Sequence, residues 1–342
     1  MASYKEKALM GSLLLAFFFW TVTYASIASR SDDLINNQAK VDGIAKSPVG
    51  GPFTWLSTIS GLPIVSLFAF RTEPKNCPAC TCGTNSSTAS NDDLSDVSDL
   101  RIYGGTNATE GMYPWMVALY YDNRFICGGS LINNLYILTA ASCVFNTDRS
   151  LFSVKFLMYD RGNPDSNVFE RRVTYIMTNW YWDTGAISMN DLALLKLNET
   201  VPLGSELSPV CLPPEGPTYA GYNATVTGWG ETENYTYSRV LQQATVPILT
   251  YDDCMKQSNY HFYQIDDSKI CAGAADGGID ACQGDSGDPL HITDLQTGRY
   301  VIAGVVPVRK ECAEPKYPGI YTRVSKFRQW IKFNTRDACY CS

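Results

Sequence analysis

The chain has 342 residues, 45% of them apolar and 18% charged, an ordinary globular mixture that can bury a real core in one large domain or two small ones. Its 27 Lys and Arg against 34 Asp and Glu leave a net charge of -7. Without clustered cations to neutralise phosphates, a nucleic-acid partner is argued against, and the acidic balance speaks equally against a basic, membrane-active role.

Residues 1–25 run from Lys5 and Lys7 through an uncharged stretch to Thr23-Tyr24-Ala25, where small residues flank a cleavage point, and this reads as a secretory signal peptide. The alternative is a signal anchor, because no charge falls between Lys7 and Arg30, about the length that spans a bilayer. The first reading makes the protein secreted and extracellular, the second a type II membrane-anchored one. Residues 47–70 form another uncharged stretch, but Pro48, Gly50, Gly51, Pro52, Gly61 and Pro63 interrupt it, so it reads as a docking segment rather than a span.

The region 26–101 is expected to be mostly irregular. Within it, 77–82 carries Cys77, Cys80 and Cys82, and 83–100 is too rich in Ser, Asn, Thr and Asp to bury surface, so it reads as a flexible, accessible linker ending at Arg101. Twelve cysteines behind an export signal predict disulfides rather than a metal site. Cys77-Pro78-Ala79-Cys80 has CxxC spacing, yet no matching second pair accompanies it and Cys82 crowds it, so neither metal nor cofactor is expected. Sequons at Asn85, Asn107, Asn198, Asn223 and Asn234 suit an exported glycoprotein.

From Ile102 onward the composition changes to short β-rich runs punctuated by Gly and Pro, at 115–120, 125–132, 136–141, 152–158, 171–177, 192–197, 224–228 and 300–306. Many short strands separated by turns predict barrels or sandwiches. An acidic loop holds Asp160, Asp165 and Glu170, spaced too loosely for calcium, and reads as solvated. Val324, Phe327, Trp330 and Ile331 share one helical face behind Ser325 as a cap, which predicts a terminal helix before a cysteine-bearing tail at 336–342.

Four motifs stand in order along 102–335: Arg101-Ile102-Tyr103-Gly104-Gly105, Leu138-Thr139-Ala140-Ala141-Ser142-Cys143, Asn190-Asp191-Leu192-Ala193-Leu194 and Gly284-Asp285-Ser286-Gly287-Asp288-Pro289-Leu290. With them the chain resembles the trypsin-like, chymotrypsin-fold (S1) serine peptidases, except that Ser142 stands where the family has its histidine. The resemblance implies an all-β fold of two perpendicular six-stranded antiparallel barrels and a C-terminal α-helix, with the active site in the cleft between the barrels. It also implies disulfides joining Cys127 with Cys143, Cys254 with Cys271 and Cys282 with Cys312. Cys77, Cys80 and Cys82 then balance Cys211, Cys339 and Cys341 in an order the sequence leaves open.

The same resemblance makes Ser142, Asp191 and Ser286 a degenerate triad and Gly284 with Ser286 the oxyanion hole. Cleavage after Arg101 would free Ile102 to pair with Asp285, and Asp280, Arg309 and Gly319 would belong to the substrate pocket. Acyl transfer by a serine needs a base in hydrogen-bond reach, and a serine hydroxyl is not one. Losing the histidine in a related system costs about a millionfold in turnover, roughly 8 kcal/mol at about 1.36 kcal/mol per tenfold. His291, five residues past Ser286 on an outgoing strand, should lie roughly 16 Å away; His261 falls on a loop between Cys254 and Cys271, and both read as exposed bystanders.

The cleft wall that the family writes Ser-Trp-Gly-x-Gly-Cys is here Pro307-Val308-Arg309-Lys310-Glu311-Cys312, and Arg309 or Lys310 is expected to fold over Asp280 as a plug. Asp288 replaces a glycine and adds bulk and charge beside the nucleophile turn. The expectation is therefore a secreted, catalytically inactive serine protease homolog that binds protein partners, such as proteases, their substrates or their inhibitors, as a cofactor, adaptor or decoy in an extracellular protease or immune cascade. A trypsin-like protease would activate it. The alternative is a weak or atypical trypsin-like endopeptidase.

Overall fold

The computed structural model describes residues 77–85, 105–179, 182, 190–232, 236–274, 276–308 and 312–342. The leader 1–25, the stretch 47–70, most of the linker, Arg101, Ile102, Asn234, Arg309, Lys310 and Glu311 lie outside the described residues.

After the two-residue strand β1 (Thr106–Asn107), the chain builds its first sheet from β2 (Met116–Tyr121), β3 (Arg124–Leu131), β4 (Tyr136–Thr139), β5 (Phe152–Phe156), β6 (Phe169–Thr178) and β7 (Ala193–Leu197). These six antiparallel strands close into a barrel in the order β2-β3-β4-β7-β6-β5. The β2–β3 hairpin turns on Asp122 and Asn123, both left-handed at φ 47° and 61°, the conformation that short polar side chains tolerate and that matches strand twist. β2 reads Met-Val-Ala-Leu-Tyr-Tyr and is buried along almost its whole length, because it faces the barrel core on one side and other packed elements on the other.

The second sheet contains β8 (Asn223–Gly228), β9 (Gln242–Pro247), β10 (Lys269–Ala272), β11 (Pro289–Thr293), β12 (Tyr300–Val305) and β13 (Gly319–Arg323), with β1 added beside β9. Its order is β1-β9-β8-β11-β12-β13-β10, and it is barrel-like rather than fully closed. Just past β9 the chain meets β10, where Leu249 N donates to Cys271 O at 2.8 Å and Gly273 N to Pro247 O at 3.0 Å. Two isolated backbone bonds thus do the joining that a ladder does in the first barrel.

Helix α1 (Tyr251–Gln257) is capped by Thr250, whose Oγ1 accepts from Asp253 N at 3.0 Å, with Asp252 and Asp253 in the first turn and Lys256 in the last, as the helix dipole favours. Helix α2 (Val324–Asn334) packs Val324 and Ile331 into the same core cluster as the first barrel. Ser325 does not cap it. Arg323 holds the cap position without a side-chain bond, and Ser325 sits in the first turn, where its hydroxyl donates to Pro217 O at 2.6 Å.

Six disulfides are formed. Cys127 joins Cys143, Cys254 joins Cys271 and Cys282 joins Cys312. The remaining order is Cys77 to Cys339, Cys80 to Cys341 and Cys82 to Cys211. Gly83, in a left-handed bend at φ 66°, lies between Pro209 and Tyr300, its N–H donating to Pro209 O at 2.7 Å and its carbonyl accepting from Tyr300 N at 2.9 Å. The N-terminal segment is therefore held to the domain covalently and through the backbone.

Cleavage after Arg101 should accordingly leave a single species on a non-reducing gel and two fragments after reduction. Release of the smaller fragment without reductant would contradict the three bridges.

Candidate active site

The first half of the site hangs from the end of β4. Thr139 closes the strand, a single 3₁₀ turn (Ala141–Cys143) follows, and the Cys127–Cys143 disulfide fixes that turn to β3. Ser142 sits on it, half-buried, with its N–H donating to Asp191 Oδ1 and its hydroxyl to Asp191 Oδ2, both at 2.8 Å. Asp191 precedes β7 and is fully buried. A third donor comes from the second sheet, Val308 N to Oδ2 at 3.1 Å, and Thr322 Oγ1 donates to the Asp191 carbonyl at 3.1 Å. The carboxylate is thus satisfied, and the Ser142 hydroxyl spends its proton on it instead of standing ready to accept one.

The second half is the turn from Cys282 to Asp288. Asp285 N donates to Cys282 O at 3.0 Å, Asp288 N to Asp285 O at 2.9 Å and Gly287 N to Val306 O at 2.8 Å. Gly284 adopts φ 91°, and a β-carbon there would fall 2.5 Å from the Tyr237 ring, so only glycine serves. The barrels meet here, with Gly128 N donating to Ser286 O at 3.1 Å. Ser286 Oγ donates to Pro307 O at 3.4 Å, an amide carbonyl that cannot take the proton away.

Neither histidine bonds to Ser286 among the described residues. His261 lies on an exposed loop, its ring stacked at 5.3 Å and 10° on Tyr263. His291 is on β11 but is not exposed: it is fully buried among Tyr113, Tyr300 and Trp115, at ring-centroid distances of 4.8, 5.3 and 5.7 Å. The period-two alternation of a strand put His291 on the inner face, and the outgoing-strand argument had not fixed which face that was. Both ring nitrogens lack a hydrogen-bond partner among the described residues, and burial pushes the ring's pKa down to about 3.

Asp280 is buried and accepts from Ala281 N at 2.9 Å and from Ala313 N at 3.3 Å, and Gly319 opens β13, paired with Ala272 of β10. The proposed plug residues Arg309 and Lys310 lie outside the described residues. Asp285 is fully buried, accepting from Gly230 N at 2.6 Å and Cys282 N at 2.8 Å. Asp288 lies beside the nucleophile turn, as expected, and its carboxyl is fully buried against Gly128 and Gly228, neither of which has a side chain to occupy that volume.

Sequence reasoning also missed the aromatic pair Phe145 and Trp182, with ring centroids 4.5 Å apart, next to the Ser142 turn. The signal was present as an apolar residue in the otherwise polar run 145–150. Of the sequons, Asn85, Asn107, Asn198 and Asn223 are all exposed.

Comparison with known proteins agrees with this geometry. The family model described as Trypsin matches residues 102–331. The chain is 36% identical over 274 residues to "Proclotting enzyme" of Tachypleus tridentatus, covering 75% of this chain and 69% of that protein. It is 36% identical over 251 residues to "Clotting factor G beta subunit" of the same organism, covering 68% and 79%, and 38% identical over 245 residues to "Trypsin-1" of Astacus astacus, covering 68% and 99%. The chain belongs to the trypsin family of serine proteases.

Two outcomes follow from the geometry. Ser142→Ala removes one charge-assisted hydrogen bond from a buried carboxylate, and should cost about 2 kcal/mol of stability in urea denaturation while leaving peptide hydrolysis unchanged. For His291, the unfolded ring takes up a proton below about 6.5 whereas the folded ring stays neutral down to about 3. Its contribution is complete above the unfolded value and is lost as pH falls, at about 1.4 kcal/mol per unit through that window. His291→Phe should flatten the acid limb of the stability curve between pH 6 and 4 relative to wild type, and parallel curves would refute the neutral buried ring.

Proposed function

We propose that this trypsin-family chain is a secreted serine protease homolog that has exchanged cutting for binding. The observation that carries the reading is the Ser142 hydroxyl donated to Asp191 Oδ2 at 2.8 Å, in the place where the family's histidine would be oriented as the general base. Ser286 keeps its position, but its hydroxyl faces the Pro307 carbonyl. Asp191 then works as a structural carboxylate that joins the barrels, and Gly284 and Ser286 offer a hole that can hold an acyl oxygen without advancing chemistry.

On this reading a trypsin-like protease cuts after Arg101, the new amino group of Ile102 pairs with Asp285, and the ordered domain engages a protein partner. The names of the relatives from Tachypleus tridentatus, a proclotting enzyme and a clotting factor subunit, support partners that are themselves proteases or proteins of a clotting cascade, and a cofactor, adaptor or decoy is the part this reading gives the chain. Glycans at the exposed sequons and the three bridges to the N-terminal segment suit that setting. A second reading, a weak or atypical endopeptidase, draws on the preserved nucleophile turn and on buried Asp280, which would read a basic residue.

A serine-directed fluorophosphonate separates the two readings. The protein cleaved at Arg101 should label no faster than the uncleaved one, and rapid labelling lost in Ser286→Ala would establish the endopeptidase. Ser142→His should leave turnover at least about a hundredfold below that of a working relative, since misplacement of about 1 Å alone costs that much; near-normal peptide cleavage would show that the altered wall at 307–311 matters little.

A further inference from the structure

Helix α2 carries Arg328 and Lys332 one turn apart, and Arg336 follows just past its C-cap Thr335. No carboxylate among the described residues pairs with any of the three, although Lys326 on the same helix pairs with Asp267, and Asp337 is taken by Lys196 at 2.6 Å. The Nε atoms of Arg328 and Arg336 are buried without a hydrogen-bond partner among the described residues. The helix dipole favours a cation in the last turn. It leaves the repulsion between Arg328 and Lys332, four residues apart, without a counter-ion.

Lys332 is half-buried, with its Nζ 3.1 Å from the centroid of the Tyr340 ring. The tail fixes that ring: the Tyr340 hydroxyl shares a hydrogen bond with Thr335 Oγ1, and Cys339 and Cys341 on either side are bridged to Cys77 and Cys80. The amine is therefore covered by the ring and repelled by the guanidinium one turn before it. Burial first, then Arg328, bring its pKa down from 10.5 to about 8. At pH 7.5 the neutral, nucleophilic form is then about two hundredfold more populated than for an ordinary lysine. Tyr340 stays a neutral phenol, since burial raises its pKa, and Arg336 lies 4.7 Å over the Phe333 ring.

We propose that Lys332 is a site of reversible carbamate formation with dissolved carbon dioxide. The lone pair of the neutral amine forms an N–C bond, one C=O pair moves onto oxygen, and the nitrogen gives up a proton to solvent, with no change of oxidation state. The product turns a cation into an anion one turn from Arg328, and a guanidinium is the best partner for a carboxylate-like group. A neutral acyl group on the same nitrogen would remove the repulsion but supply no counter-ion. Carbon dioxide is also small and linear, which suits an amine covered on one side by a ring.

The test uses the full, uncleaved chain in isotope-labelled bicarbonate at pH 7.5, with carbamates trapped as ethyl esters by triethyloxonium and located by mass spectrometry. The trapped fraction at Lys332 should be at least about tenfold that at the exposed Lys256 and Lys316, and Lys332→Arg should remove that signal alone. Equal trapping at all three lysines overturns the site. Competitive acetylation across pH reads the amine directly in the wild type: titration near 8 supports the neutral amine, and titration near 10.5, the result if the ring's attraction for a cation prevails, overturns it. Arg328→Gln tests the partner, with each protein held at the pH where half of its Lys332 amine is neutral. Trapping should then fall about fivefold or more, and an unchanged fraction overturns the pairing with Arg328.

Discussion

One buried carboxyl, that of Asp191, bonds to both sheets of this protein. Asp191 receives Ser142 from the first barrel through both its N–H and its hydroxyl, and Val308 from the second sheet through its N–H. A buried carboxyl with three donors is compensated in the interior, whereas the same group stripped of them would not be. The Ser142 hydroxyl is short, yet it reaches Asp191 Oδ2 at 2.8 Å, so the contact between the barrels has a side-chain donor at this point.

The second sheet shows the converse arrangement. Around the nucleophile turn the backbone is tightly bonded, from Cys282 through Asp288 to Val306, yet the side chains in its lee are poorly compensated. His291 sits in an aromatic enclosure with no hydrogen-bond partner for either nitrogen among the described residues, and Asp288 lies against glycines. One group is pushed towards neutrality from the basic side and the other from the acidic side, and both lie on the short stretch from the turn into β11.

Much of the first barrel was legible in the sequence, because its strands are apolar runs bounded by turns: 115–120, 125–132 and 192–197 lie within a residue or two of β2, β3 and β7. The second sheet was read less well. β9 is Gln-Gln-Ala-Thr-Val-Pro, with Gln242 fully buried, and β10 opens on Lys269, buried with its Nζ donating to Gln264 O, so polar composition hid both strands. Helix α1 is seven residues long, too short for a periodicity to show. Motif residues could be named because they form contiguous runs. What those runs could not give was direction: Asp288 stands two residues from Ser286 with its carboxyl buried against Gly128 and Gly228, and Ser325 stands one residue inside the helix it was expected to cap.

The bridges from Cys77, Cys80 and Cys82 to Cys339, Cys341 and Cys211 give the proposed cleavage an unusual accounting of particles. One molecule goes in and one comes out. Any rearrangement of the new chain ends is then unimolecular, with an effective concentration set by the tether and not by the surrounding fluid. Dilution cannot reverse it by carrying one fragment away, and no free fragment exists to act elsewhere. On that reading both sides of the cut stay within a single particle, and only reduction of the bridges would part them.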